Sequence, residues 1–326
     1  MSSLQLTSQQ LVDLTYVPAL EDFTLGDNLP RLPKDWSYCS QSPASPFPTF
    51  DSLPPELLHS IFSQLDLVSL HNFRRVSRRA AELIYSDLEC NAIITHAWDA
   101  IRGAHCIKTA RKITCGALYK KLCTQKCEGC GDFGGYLYLL TLKRVCFLCF
   151  SEGRYCFPMT PKFARRRYSI STESVRKASR MRGKAGIYSP SRVRMAEPVL
   201  VDSEDIVNIV RGVLDLLRRL QDDYWSQLET ENPQPVPRLA IQDLEDPLLT
   251  SDEKLKNPHR FAAIVSAPWL DSSTQQPEQG LHCLACKGRE AAPFHWRRKF
   301  TASSFEEHLR ECGQIEDGKH HVKPGE

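Results

Sequence analysis

Four cysteines set as Cys127-x-x-Cys130 and Cys146-x-x-Cys149 constrain this chain more than any other feature. Fifteen residues separate the two pairs. A C-x-x-C turn points both sulfurs to one side, and two such turns supply the four thiolates of a tetrahedral zinc site. Gly129 and Gly131 give the backbone room to turn back toward a metal. Between the pairs runs Tyr136–Leu142, aromatic and apolar, with Gly134-Gly135 breaking its start, so a short hairpin is expected. Residues 123–160 therefore read as a zinc-ribbon-like module with Cys127, Cys130, Cys146 and Cys149 as ligands. Cys123 and Cys156 flank the set and compete for a ligand place. The plainer alternative is buried free cysteines packing as small hydrophobes. A redox pair does not fit, because two matched pairs suit a closed site and no βαβ context surrounds them.

A second constellation follows at Cys283-x-x-Cys286 and His308-x-x-x-Cys312. Ser303 to Cys312 has helical spacing, with serines to cap its start and Gly313 to end it. His308 and Cys312, four apart, then face one side, and Phe300, Phe305 and Leu309 form a small apolar core. The set resembles a Cys-Cys-His-Cys zinc finger over 271–318, followed by a tail at 319–326. The twenty-one residues between its halves exceed the roughly twelve of DNA-reading fingers. That spacing weakens base readout more than metal binding. His282 and His295 are the competing ligands. Two structural zinc ions are thus expected, each with four protein ligands and no open place for a catalytic water.

Thirteen cysteines, an odd number, suit a disulfide framework only in a secreted chain. MSSLQLTSQQLVDLTYVPAL has no basic start and no continuous apolar block, and no run approaches the ~20 apolar residues of a membrane span. The expectation is a cytoplasmic or nuclear protein. A net charge of +3 is too small for a global electrostatic argument. No Ser/His/Asp set, paired carboxylates or phosphate-cradling glycine loop appears, so the expectation is a chain that is not an enzyme.

Residues 50–88 read FDSLPPELLHSIFSQLDLVSLHNFRRVSRRAAELIYSDL. Leu53-Pro54-Pro55-Glu56 opens a helix with proline in its first turn. Leu57, Leu58, Ile61, Phe62 and Leu65 fall at helical spacing. Asp66 can cap a second short helix carrying Leu67, Leu70 and Phe73, and Ser77 a third carrying Ala80, Leu83 and Ile84. This pattern resembles an F-box over 50–90, with Leu70, Phe73, Val76, Ser77 and Arg78-Arg79 matching its second half; the usual late tryptophan is not evident. A generic three-helix core segment and a helix-turn-helix reader are the alternatives. Followed by the two cysteine modules, the order is similar to F-box proteins of filamentous fungi. The resemblance implies a substrate-receptor subunit of an SCF-type cullin–RING ubiquitin ligase. Such a subunit binds the Skp-type adaptor, and through it a cullin, and holds a protein substrate on its C-terminal part. Leu53, Pro54, Leu57, Leu58, Ile61 and Leu65 are the candidate adaptor contacts.

The expected fold is α+β: a flexible leader at 1–49, whose Leu11, Leu14 and Val17 are candidates to dock, the three-helix F-box, then a mainly helical body with small zinc-stabilised hairpin and finger modules. A helical extension covers 91–122, with one helix over Ala92–Arg102 and another starting at Thr114 or Cys115. Residues 162–194 hold eleven Lys or Arg and one acid, Glu173, so 161–200 reads as a basic loop or linker. This segment and Trp296–Lys299 motivate the alternative function, a zinc-finger nucleic-acid-binding protein, whose affinity would fall steeply with salt. In 201–270, a helix after Asp202-Ser203-Glu204 places Ile206, Ile209, Val210, Val213, Leu216, Leu217 and Leu220 inward, and Phe261–Val265 reads as a buried strand. A Pro-rich break separates them at Asn232–Pro237.

Overall fold

The computed structural model describes residues 6–17, 22–30, 48–153, 156–227, 254–288 and 295–321. The Pro-rich break at Asn232–Pro237 lies outside the described residues.

The chain opens with α1 (Ser8–Leu14) and β1 (Thr15–Tyr16). Thr7 and Gln10 close a capping box at the start of α1. Where it is described, the leader is docked, contrary to the flexible segment expected. Leu6, Leu11 and Leu14 pack on the C-terminal cysteine module, and Leu25 lies fully buried in the main core. Leu11 and Leu14 thus dock as their apolar character allows, whereas Val17 stays exposed.

A short α2 (Pro48–Asp51) leads into α3 (Pro55–Gln64), α4 (Leu67–Arg74) and α5 (Arg78–Ser86). Pro55 stands at the first helical position of α3. Asp66 Oδ1 accepts from the amides of Val68 and Ser69 at 2.9 and 3.0 Å, and Ser77 Oγ from that of Ala80 at 3.0 Å. Each cap satisfies amides that the first helical turn leaves without intrahelical partners.

The single helix expected over Ala92–Arg102 is two. α6 (Leu88–His96) and α7 (Trp98–Cys106) meet at Ala97, which leaves the helical region at φ −124° and ψ 31°. The bend lets Ile93 and Ile101 both enter the core. Thr114 caps α8 (Cys115–Leu122), as its sequence predicts.

β2 (Tyr136–Tyr138) and β3 (Lys143–Val145) form the expected hairpin, and α9 (Phe147–Ser151) follows directly. β4 (Pro158–Met159), α10 (Pro161–Tyr168), α11 (Thr172–Arg176), β5 (Arg180–Arg182), β6 (Gly186–Tyr188), β7 (Val193–Met195) and β8 (Val199–Asp202) come next. The segment read as a basic loop is therefore ordered. Ala164, Val175 and Ala178 bury against Phe157, Met159, Val201 and Ile206 in a second small core, while most of the cations point to solvent. The apolar positions were sparse but regularly placed, as in β5, where buried Met181 sits between exposed Arg180 and Arg182.

α12 (Ser203–Gln227) buries Ile206 and Val210, but Val213, Leu216, Leu217 and Leu220 are 43–57 % exposed. The periodicity predicted their shared face correctly and their burial wrongly, because the helix runs past the core beneath its first turns. β9 (Ile264–Ser266) begins later than expected, Phe261 ending a 3-10 turn before it. β9 pairs antiparallel with β2, making a three-stranded sheet in the order β3-β2-β9.

β10 (Trp269–Leu270) and β11 (Pro277–Glu278) form a small hairpin, and β12 (His282–Cys283) pairs with β1, Thr15 opposite Cys283. α13 (Ala302–Cys312) and the hairpin of β13 (Gln314–Glu316) and β14 (Lys319–His321) end the described chain. The main core is continuous from the F-box-like helices to the ribbon: Phe62, Leu67 and Ile84 share one cluster with Leu118, Leu137, Cys146, Phe147 and Val265. Helices and small sheets thus combine in an α+β fold.

Candidate functional site

The first three helices after α2 sort their apolar residues between core and surface. Phe62 is buried, and Leu58 and Leu65 pack against the core. Leu57 and Ile61 are 52 % and 38 % exposed, and Pro54 is exposed beside them. Leu53 is half-buried. The six candidate contacts thus divide: Pro54, Leu57 and Ile61 face solvent from one end and one side of α3. Leu58 and Leu65 hold the helix to its own domain. Val76, between α4 and α5, adds a further exposed apolar side chain that the sequence reading did not select.

The first cysteine cluster brings together Cys127, Cys130, Cys146 and Cys149, all four sulfurs within 4.8 Å of one another. Cys130 Sγ lies 3.6 Å from Cys146 Sγ. Four sulfurs around one zinc at about 2.3 Å stand about 3.8 Å apart, so the pocket already has the size of such an ion. The two turns are built differently. Cys127 Sγ accepts from the Gly129 amide at 3.4 Å, and a side chain at Gly129 would place its Cβ 2.9 Å from Cys149 Sγ. Gly131 follows at φ +83°, a conformation that glycine adopts without steric cost. On the other arm Cys146 caps α9, its sulfur accepting from the Cys149 amide at 3.4 Å.

Hydrogen bonding from Cys130, Cys146 and Cys149 drives the Cys127 thiol far below its ordinary pKa. The same network drives Cys146 and Cys149 far above theirs. Four crowded thiols cannot all ionise together without a cation, and a divalent ion is what would let them. Cys123 and Cys156 stand outside the cluster. The Cys123 carbonyl accepts from Trp269 Nε1 at 3.2 Å instead.

Arg144 braces this ribbon from inside. Fully buried, it donates to the carbonyls of Gly134, Pro268 and Ala267, which ties β3 to the chain after β9. Its amide donates to Glu128 at 2.7 Å, and its carbonyl accepts from the Glu128 amide at 2.9 Å. These bonds hold the first knuckle against the hairpin.

The second cluster joins Cys283, Cys286, His308 and His320. His320 Nε2 lies 3.3 Å from Cys283 Sγ and 3.4 Å from Cys286 Sγ, and His308 Nε2 lies 3.5 Å from Cys286 Sγ. Cys312, expected as the fourth ligand, is not in the group. It is the last residue of α13 and half-buried, and Gly313 at φ +91° turns the chain away behind it. The β13–β14 hairpin then carries His320 back over the site, paired with Ile315. Its turn is Asp317-Gly318, both at positive φ, the dipeptide that two-residue hairpins favour. The signal for the missed residue was therefore present: an Asp-Gly turn with histidines two and three positions after its glycine. His320 Nδ1 donates to the Gly313 carbonyl at 2.9 Å, which orients Nε2 toward the sulfurs.

His308 is buried and stacks on Phe300 with ring centroids 4.4 Å apart. His282 bonds through Nδ1 to the Trp296 carbonyl at 3.2 Å, outside the cluster, and His295 is also outside it. Hydrogen bonding from Cys286 lowers the Cys283 pKa against the opposing effect of burial, with His308 acting in the same direction. The two modules touch through the Arg298–Asp132 ion pair at 2.8 Å. Both clusters could hold a metal ion. No helix among the described residues is long and apolar enough to cross a membrane.

A family model of the F-box domain matches residues 50–90. No curated protein and no solved structure matches the chain. The matched span holds α3, α4 and α5, the caps at Asp66 and Ser77, and the exposed Leu57 and Ile61. Residues 50–90 are therefore an F-box domain, and the chain is an F-box protein.

Proposed function

We propose that this chain is a substrate-receptor subunit of an SCF-type ubiquitin ligase, working in the cytoplasm or nucleus. The F-box domain carries the reading, since such domains in general bind a Skp-type adaptor and through it a cullin. Pro54, Leu57 and Ile61 bury against adaptor helices, with proline fixing the angle at which α3 is entered. The body behind the F-box holds a protein substrate. The chain itself does no bond chemistry in this role. It raises the effective concentration of substrate lysines near the charged enzyme.

Zinc in both clusters supplies folding free energy and no reaction. Cys127, Cys130, Cys146 and Cys149 hold one ion; Cys283, Cys286, His308 and His320 hold the other. The continuous core supports a rigid link between the adaptor end and the metal-stapled end, which fixes where a substrate sits relative to the ligase. The test is capture of a purified Skp-type adaptor by the full chain and by the Leu57→Asp/Ile61→Asp double variant. Both positions are exposed, so the substitutions leave the helix's own packing intact. A variant that keeps the adaptor as well as wild type would remove the proposal.

A further inference from the structure

A cavity of about 260 Å³ lies between the sheet and the second cysteine module. Tyr136, Ser266, Gln279, His282, Arg297 and Lys299 line it, together with Asp22 and Asp27 from the leader. Its acids are already engaged. Asp22 accepts from the Tyr136 hydroxyl and pairs with Arg297. Asp27 Oδ2 accepts from the Thr24 amide at 2.8 Å and the Thr24 hydroxyl at 3.1 Å.

Lys299 is different. Its amine lies over the Tyr136 ring, 5.1 Å from the centroid, and close above Gly135, where an added Cβ would stand 3.1 Å from Nζ. Among the described residues no carboxylate or carbonyl oxygen pairs with this amine. Behind it, the buried Arg144 bonds only to carbonyls and so offers no negative charge either. The amine is half-buried and opens into the cavity, where an anion can complete it.

We propose that this cavity is a binding site for one carboxylate group, carried by a protein that the chain receives. The size suits a side chain or a chain terminus and falls short of a cofactor pocket. A single unpaired cation beside two engaged acids matches a monoanion; a dianionic phosphate would lack a second partner. Burial, and then the guanidiniums of Arg144 and Arg297, bring the Lys299 amine down to about 8. That the carboxylate belongs to a protein rests on the receptor reading above. The anion site does not, because its test leaves the F-box out.

The full zinc-loaded chain is titrated by calorimetry at constant ionic strength with acetate, N-acetylglycine and inorganic phosphate. N-acetylglycinamide is the uncharged control. The two carboxylates should bind in the millimolar range, about −4 kcal/mol at 1 mM, and the amide should not. Lys299→Gln should weaken binding at least about tenfold. Gln279→Glu, on an exposed residue, should weaken it too, by setting a carboxylate at the rim. Equal acetate binding by wild type and Lys299→Gln would overturn the proposal. So would amide binding equal to acid, absence of any anion binding, or binding of phosphate alone.

Discussion

At the residue scale the two cysteine-containing clusters differ in how openly the sequence declares them. The first is written as two C-x-x-C pairs, and the structure brings those four residues together. Spacing sufficed because each pair is a local turn and the hairpin between them is short. The second is split between a local pair and a remote histidine. His308 was recoverable from helical spacing, and its burial beside Phe300 and Phe305 follows from that helix. His320 is marked only by the Asp317-Gly318 turn before it, and helix periodicity says nothing of where that hairpin docks. Cys312 satisfied the i, i+4 rule, but a helix's last residue is free to point along the departing chain. Metal content measured on purified protein separates the two. Cys312→Ser should keep two equivalents of zinc per chain, and His320→Ala should fall toward one. Loss on Cys312→Ser with retention on His320→Ala would reverse the assignment.

At the element scale, capping made the F-box helices legible. Pro55, Asp66 and Ser77 mark three starts within a short span, and apolar spacing fills each helix. The break at Ala97 left no such mark, since alanine suits a helix interior. The basic stretch misled for another reason: surface charge says where solvent is, and says little about what lies beneath. α12 shows the converse, since its amphipathic pattern predicts a face without predicting a neighbour. The consequence is measurable by chemical denaturation. Ile206→Ala, in the second small core, should cost about 2–4 kcal/mol. Leu217→Ala, half-exposed on the same helix, should stay within about 0.5 kcal/mol. Equal costs at the two positions would mean that the outer half of α12 is covered.

At the scale of the whole molecule, the order F-box, ribbon, finger predicts separate modules, whereas the core does not respect those borders. Cys127 and Cys146 belong to the cluster that contains Phe62 and Leu67 of the F-box domain. β1, near the start of the described chain, pairs with β12 of the second cysteine module. Long-range pairing of this kind is invisible to local pattern, because two-residue strands carry too little periodicity to announce a partner. One expectation follows for metal removal. Stripping zinc with a strong chelator should lower the melting temperature of the whole chain in one cooperative transition, and adaptor capture should weaken with it. An F-box that melts unchanged after metal loss would show the ribbon to be an independent module.

The central claim is that the exposed side of α3 receives a Skp-type adaptor. The most direct measurement is the dissociation constant between the purified full chain and that adaptor, for wild type and for Leu57→Asp/Ile61→Asp. Wild type should bind tightly enough to co-elute, and the double variant should be weakened at least about tenfold with an unchanged melting temperature. Equal affinity of the two proteins, or no binding by folded wild type, would contradict the account.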